Sequence, residues 1–161
     1  SNHKWLICTN NPKARVIERA KKLQIDYKIF TKDELYNGSI LNCINSLNPE
    51  LIILAGFLLK FPIEIINVYN KKIINIHPAL LPKYGGKGMY GMNVHKAIIK
   101  NKEVVSGITI HYVNKKYDEG PIIFQKEIKI NSSYTPNDLA NKIHDLEMEY
   151  FPKIVENLLT L

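Results

Sequence analysis

The spacing of apolar positions along the chain predicts an alternation of short strands and helices. Residues 4–9 are apolar at Trp5, Leu6, Ile7 and Cys8 and predict a short buried strand. Asn11-Pro12 marks a helix start with Pro at the first helical position, and the helix runs to about residue 23 with Val16, Ala20 and Leu23 on one face. A second strand follows at 27–30. Thr31-x-x-Glu34 is a capping box that opens a helix with Leu35, Ile40, Leu41, Ile44 and Leu47 apolar, ended by Pro49. Residues 51–55 are continuously apolar, as expected of a strand covered on both faces. A short helix at 62–69 and a strand at 72–77 complete a β-α-β-α-β-α-β order with short links. That order predicts an α/β fold with a mostly parallel sheet and helices on both faces. A loop from 78 to 92 holds Gly85, Gly86, Gly88 and Gly91, half of the eight glycines. A helix at 93–100 and strands at 105–112 and 122–130 follow. Thr135-Pro136 opens the last helix, with Asp138 in its first turn, running to the C-terminus past Pro152.

Length and composition narrow this picture. The chain has 161 residues, enough for one domain with its own core, and shows no internal repeat. Its 45% hydrophobic and 23% charged residues read as globular. The longest apolar run, 51–59, is broken by Gly56 and falls short of the ~18 residues of a membrane span. The start, Ser1-Asn2-His3-Lys4 with only four apolar residues before Thr9-Asn10-Asn11, does not read as a signal peptide. Cys8 and Cys43 lack metal or redox spacing and read as small buried hydrophobes in a reducing, cytoplasmic setting. The net charge of +7 comes from 20 lysines and only two arginines, Arg15 and Arg19. Specific nucleic-acid readers favour the planar arginine fork, so this balance favours anionic small substrates over a specific nucleic acid.

Three places could carry chemistry. In an open α/β sheet, ligands bind beyond the carboxyl ends of strands. Asn75 and His77 are two apart at such an end, so both side chains share one face. An amide donor beside an imidazole can stabilise a developing oxyanion and move a proton; the plain alternative is a strand-end pair that satisfies backbone groups. Asp118, in Tyr117-Asp118-Glu119-Gly120-Pro121, is either a turn former or a carboxylate carried towards His77 by the strand before it, where Gly107, Thr109 and His111 share a face. Gly86-Lys87-Gly88-Met89-Tyr90-Gly91 fits G-x-G-x-x-G formally. No strand runs directly into it, so it reads as a lid or a substrate wall and not a dinucleotide fingerprint. No His/Cys cluster has metal-ligand spacing, no nucleophile elbow is present, and His95 and His144 read as surface residues of helices.

Taken together, Asn75-Ile76-His77-Pro78-Ala79-Leu80-Leu81-Pro82-Lys83-Tyr84, then His111-Tyr112-Val113 and Tyr117-Asp118-Glu119-Gly120-Pro121, resemble the formyltransferase family. Asn10-Asn11-Pro12, Glu18-Arg19-Ala20-Lys21-Lys22-Leu23 and Leu54-Ala55-Gly56-Phe57 extend the resemblance to essentially the whole chain. The resemblance implies a Rossmann-like fold and transfer of a formyl group from 10-formyltetrahydrofolate, as cosubstrate and without a metal, to the amine of glycinamide ribonucleotide in purine synthesis. It places Asn75, His77 and Asp118 at the catalytic positions, with Thr109 and His111 as supporting polar groups. Folate contacts would come from Leu58, Leu59, Lys60 and Phe61 and from Val113, Asn114, Lys115, Lys116 and Tyr117. Ribonucleotide contacts would come from Lys32 (phosphate), Ile76, Pro78 and Glu147 (ribose). The expected partners are these two small molecules, with no specific nucleic acid and no membrane, in a monomer or homodimer.

The chain departs from the family at Leu59, where many members carry Arg, at Lys115 and Lys116, where many are acidic, and in a longer 85–91 loop. The family also begins with a strand, a phosphate-holding loop and a helix that precede the point where this sequence starts, so a single formyltransferase domain over 1–161 would lack that unit, with Ser1-Asn2-His3 as the end of its helix. The alternatives are a sister enzyme or an inactive truncated copy. A formyltetrahydrofolate deformylase usually has a second His in place of Pro78, and a tRNA formyltransferase has an arginine-rich loop after the His-Pro pair.

Overall fold

Strict alternation in two central strands separates core from chemistry. In β4 (Ile73–His77) Ile74 and Ile76 are buried in the main core, while Asn75 and His77 point the other way. In β5 (Val105–Tyr112) Ile108 and Ile110 join that core, while Gly107, Thr109 and His111 take the opposite face. The pairing is antiparallel with Asn75 opposite His111 and His77 opposite Thr109, so the polar residues of both strands meet on one surface.

The computed structural model describes residues 3–160, in two compact units that meet in the chain between Pro49 and Glu50. The first unit holds β1 (Leu6–Thr9) and β2 (Asp26–Ile29), paired in parallel, with α1 (Arg15–Lys22), α2 (Lys32–Tyr36) and α3 (Ser39–Leu47). In the second, β3 (Ile52–Leu54) pairs in parallel with β4, β4 in antiparallel with β5, and β5 in antiparallel with β6 (Ile122–Lys129), giving the order β3-β4-β5-β6. The helices of this unit are α4 (Ile63–Val68), α5 (Met92–Lys100) and α6 (Pro136–Leu159). Val94 and Ile98 of α5 and Leu139, Ile143, Leu146 and Val155 of α6 cover the isoleucine face of β4 and β5. Each fully buried isoleucine there contributes about 1.5–3 kcal/mol. No helix among the described residues is long and apolar enough to cross a membrane.

Several expectations are corrected. Helix α1 starts at Arg15 and not at Pro12, because Asn11 forms a turn that accepts from the Lys13 and Ala14 N–H groups. Its buried face is Ile17 and Ala20, and Leu23 is 68% exposed. The single helix expected after Thr31 is two: the capping box forms as read, but Gly38, at φ +92°, separates α2 from α3. Helix α6 keeps both its cap and its Thr135–Asp138 box and continues through Pro152. Cys8 is exposed and Cys43 half-buried, both free thiols and neither a core residue. His3 is in no helix, and the expectation for residues 1–2 lies outside the described residues.

Candidate active site

Four polar side chains converge where β4 ends. His77 is only 3% exposed. Its Nε2 lies 2.7 Å from the Tyr84 carbonyl oxygen. A carbonyl only accepts, so Nε2 carries the hydrogen and Nδ1 is left facing Asp118, 3.6 Å from Oδ2. His111 is fixed in the same way: its Nδ1 donates to the Tyr112 carbonyl at 2.9 Å. Its Nε2 is then free to accept from the Asn75 amide Nδ2, 3.2 Å away, and lies 3.6 Å from Asp118 Oδ1. This orients Asn75: one amide hydrogen is spent on His111 and the second is available to a ligand. Asp118 itself sits at φ +56°, a backbone state a carboxylate residue tolerates better than most, and accepts from the Gly86 N–H at 2.9 Å.

Electrostatics follow from this burial. Burial pushes His77 below the ordinary histidine value, against the raising pull of the Asp118 carboxylate and the Tyr84 carbonyl, with His111 adding to the lowering. The net direction is thus opposite to what a carboxylate neighbour alone would give. Asp118 goes down: burial raises it, but the contact with the His111 ring, the Gly86 N–H bond and the charge interaction with the two imidazoles overcome that.

Thr109, fully buried, supports the segment after β4. Its hydroxyl donates to the Ala79 carbonyl at 2.7 Å and accepts from Leu81 N–H at 3.0 Å and Gln125 Nε2 at 2.9 Å. His95 is corrected from a surface to a buried residue, 5% exposed, with no hydrogen-bond partner for Nδ1. Burial and the nearby His77 lower its pKa. His77 and His95 are both depressed in the folded state, so their stabilising contribution is complete above about pH 6.5 and is lost as the pH falls through their folded values. We expect the melting temperature to drop between pH 7.5 and 5.5, above the ordinary carboxylate range. A melting curve that does not move over that interval would contradict the two burial assignments.

A cleft opens beside this cluster, lined by Leu54, Phe57, Leu59, Lys60 and Phe61 on one wall and the 113–118 segment on the other, with Asn75 and His111 at its floor. An adjoining cavity is lined by Ile66, Asn67 and Asn70 together with Val113, Asn114 and Lys115. The structure therefore brings together Asn75, His111, Asp118, Leu59, Lys60, Phe61, Val113, Asn114, Lys115, Lys116 and Tyr117 around one opening. Leu58 is not among them and is 61% exposed. Ile76 is buried and Pro78 half-buried next to His77. Glu147, on α6, lies 3.6 Å from His144 Nδ1, and burial raises its pKa. Lys32 is exposed in the first turn of α2, in the other unit. Sequence reasoning missed Leu54, Phe57, Ile66, Asn67 and Asn70 as lining, and it missed the Tyr84 carbonyl and the Gly86 N–H, which no side-chain pattern can report. Among the described residues, no group of three or more His, Cys, Asp or Glu side chains is placed to hold a metal ion.

The comparison with known proteins is decisive on the family. Residues 2–155 match the family described as Formyl transferase. The chain belongs to the formyl transferase family. Among relatives of this family, the phosphoribosylglycinamide formyltransferase of Bacillus subtilis is 36% identical over 161 residues, covering 97% of this chain and 80% of its own. The chloroplastic phosphoribosylglycinamide formyltransferase of Arabidopsis thaliana is 35% identical over 93% of this chain and 53% of its own, so the chain spans about half of that relative. The crystal structure of the phosphoribosylglycinamide formyltransferase of Anaplasma phagocytophilum superposes with a TM-score of 0.85 at 30% identity, covering 94% of this chain and 72% of that one. The α/β, Rossmann-like class expected of a formyl transferase is the class observed.

Proposed function

We propose that this formyl transferase family member transfers the formyl group of 10-formyltetrahydrofolate to the amine of glycinamide ribonucleotide. The observation that carries the reading is the convergence of Asn75, His111 and Asp118 on one cleft, with the buried His77 ring 3.6 Å from Asp118 and the other contacts at 3.2–3.6 Å. The names of the relatives support it. In this reading the folate lies between the Leu59–Phe61 wall and the 113–117 segment, and the ribonucleotide is held near Ile76, Pro78 and Glu147. The substrate amine attacks the formyl carbon, a C–N bond forms, and the carbonyl pair moves onto oxygen. The free amide hydrogen of Asn75 meets that oxyanion. Asp118 receives the amine proton through water and passes it to the neutral ring of His77 at Nδ1, whose N–H then joins Asn75 on the oxyanion. The bond to folate N10 then breaks, and His77 Nδ1–H gives N10 its proton, so the net transfer moves one hydrogen from amine to N10. Burial keeps resting His77 largely neutral, and the Asp118 carboxylate beside it favours the protonated ring once the amine proton arrives.

The test is a paired assay with 10-formyltetrahydrofolate: formylated ribonucleotide and free tetrahydrofolate should appear in equal amounts only when glycinamide ribonucleotide is present. Release of formate without it would make the protein a deformylase. Folate bound with neither product would leave a binding protein.

A further inference from the structure

We propose that Tyr84 is a positioning residue for His77: its phenol, tied to Glu103 and Asn101, holds its own backbone carbonyl on the His77 Nε2–H and thereby keeps Nδ1 turned towards Asp118. The role assigned to His77 rests on the function proposed above; the geometry of the tether does not.

Tyr84 stands at φ +58°, a conformation that a residue with a Cβ rarely adopts, so something outside the local backbone must hold it. The side chain supplies that hold. Its hydroxyl donates to Glu103 Oε1 at 2.9 Å and accepts from Asn101 Nδ2 at 2.9 Å, both residues lying just beyond the end of α5. Lys83 Nζ bonds the same carboxylate oxygen at 3.2 Å. The ring packs against the main core. With both ends of the residue fixed, the carbonyl has one direction left, and it meets His77 Nε2 at 2.7 Å.

The same turn reaches Asp118. Gly86 N–H donates to Asp118 Oδ2, the oxygen that faces His77 Nδ1. Gly85 permits that approach: a Cβ there would lie 2.5 Å from Leu81 Cδ2 and 3.2 Å from Asp118 Cβ. Three consecutive residues thus clamp both members of the His77–Asp118 pair, and the phenol is the anchor of the clamp. A tyrosine in this place looks, from sequence, like one more loop aromatic; its function is carried by a main-chain oxygen.

The experiment is an NMR titration of the His77 imidazole in the wild-type protein and in Tyr84→Phe, which keeps the ring and removes the tether. Wild type should show a single tautomer with the proton on Nε2. In Tyr84→Phe the two ring nitrogens should average, and the His77 titration should move to lower pH, because an acceptor that favours the protonated ring has loosened. The charged and titratable groups that face His77 are Asp118, His111 and His95, and the variant removes none of them. Turnover should fall about tenfold to a hundredfold in kcat with little change in the folate KM. Glu103→Ala should move the titration the same way, and Glu103→Gln, which keeps an acceptor for the phenol, should restore it; this pair serves if Tyr84→Phe does not fold. An unchanged tautomer and titration in both Tyr84→Phe and Glu103→Ala would overturn the proposal. A shifted titration in a protein without formyl transfer would uphold the tether and refute the proposed function instead.

Discussion

Replacing His77 with alanine should lower kcat for formyl transfer by about 100- to 10,000-fold, the usual range for a positioned acid–base group, while folate binding stays close to wild type. The separation of the two effects follows from placement. The cleft is walled by Leu54, Phe57, the Leu59–Phe61 segment and 113–118, and its polar floor is Asn75, His111 and Asp118; His77 is not part of its lining. Its Nε2 is occupied by Tyr84, and its Nδ1 looks at Asp118. Removing the ring therefore deletes the group that supplies a proton and leaves the ligand walls standing. A His77→Gln variant fills more of the buried space and should share the loss of turnover, which separates lost chemistry from a collapsed cavity. Steady-state rates together with folate titrations check both halves. Turnover close to wild type in either variant would remove His77 from the reaction.

Gly120→Ala should cost about 3–5 kcal/mol of stability, the range of severe single substitutions, and lower the melting temperature by about 10 °C for a chain of this size. A Cβ at Gly120 would overlap the Tyr112 carbonyl, a backbone group with no rotamer to escape into. That carbonyl is also the acceptor that fixes His111 Nδ1, and the Tyr112 N–H is bonded to the Pro121 carbonyl at 2.9 Å. Any backbone shift that relieves the overlap therefore turns His111, and with it the Asn75 amide and the Asp118 carboxylate. Gly38→Ala is the useful contrast. Its Cβ would meet nothing within 4 Å, so only the strained φ of +92° counts against it, and a cost of about 1–2 kcal/mol is expected. Equal melting temperatures for the two variants would show that the Gly120 contact is soft.

Much of this was legible in the chain because local chemistry decides it. The capping boxes at Thr31 and Thr135 are satisfied within three residues, so they form wherever the chain goes. The strand at 105–112 is read to the residue, with polar and apolar residues alternating from Gly107 to Tyr112. The placement of Asn75 and His77 on one face follows from the two-residue period of any strand. Where the readings failed, a nonlocal or backbone term won. Pro12 looked like a helix start, but the Asn11 turn competes for the same N–H groups. The helix after Thr31 is apolar at helical spacing on both sides of Gly38, yet its backbone leaves the helical region there. His95 stands beside Lys96 in sequence, and only the tertiary packing of α5 buries it.

The sequence by itself thus determined the element order apart from the break at Gly38, the α/β class, the sharing of one face by Asn75 and His77, and which residue types could do the chemistry, since each depends on composition and on periods of two or 3.6 residues. The tertiary structure alone decided that Asp118, 41 positions from His77 in the numbering, stands 3.6 Å from its ring. It also decided that His77 lies below its ordinary pKa and that its Nε2 is held by a loop carbonyl. Those outcomes depend on strand register, on the exclusion of water and on the direction of main-chain groups. None of the three is written in the identity of a side chain.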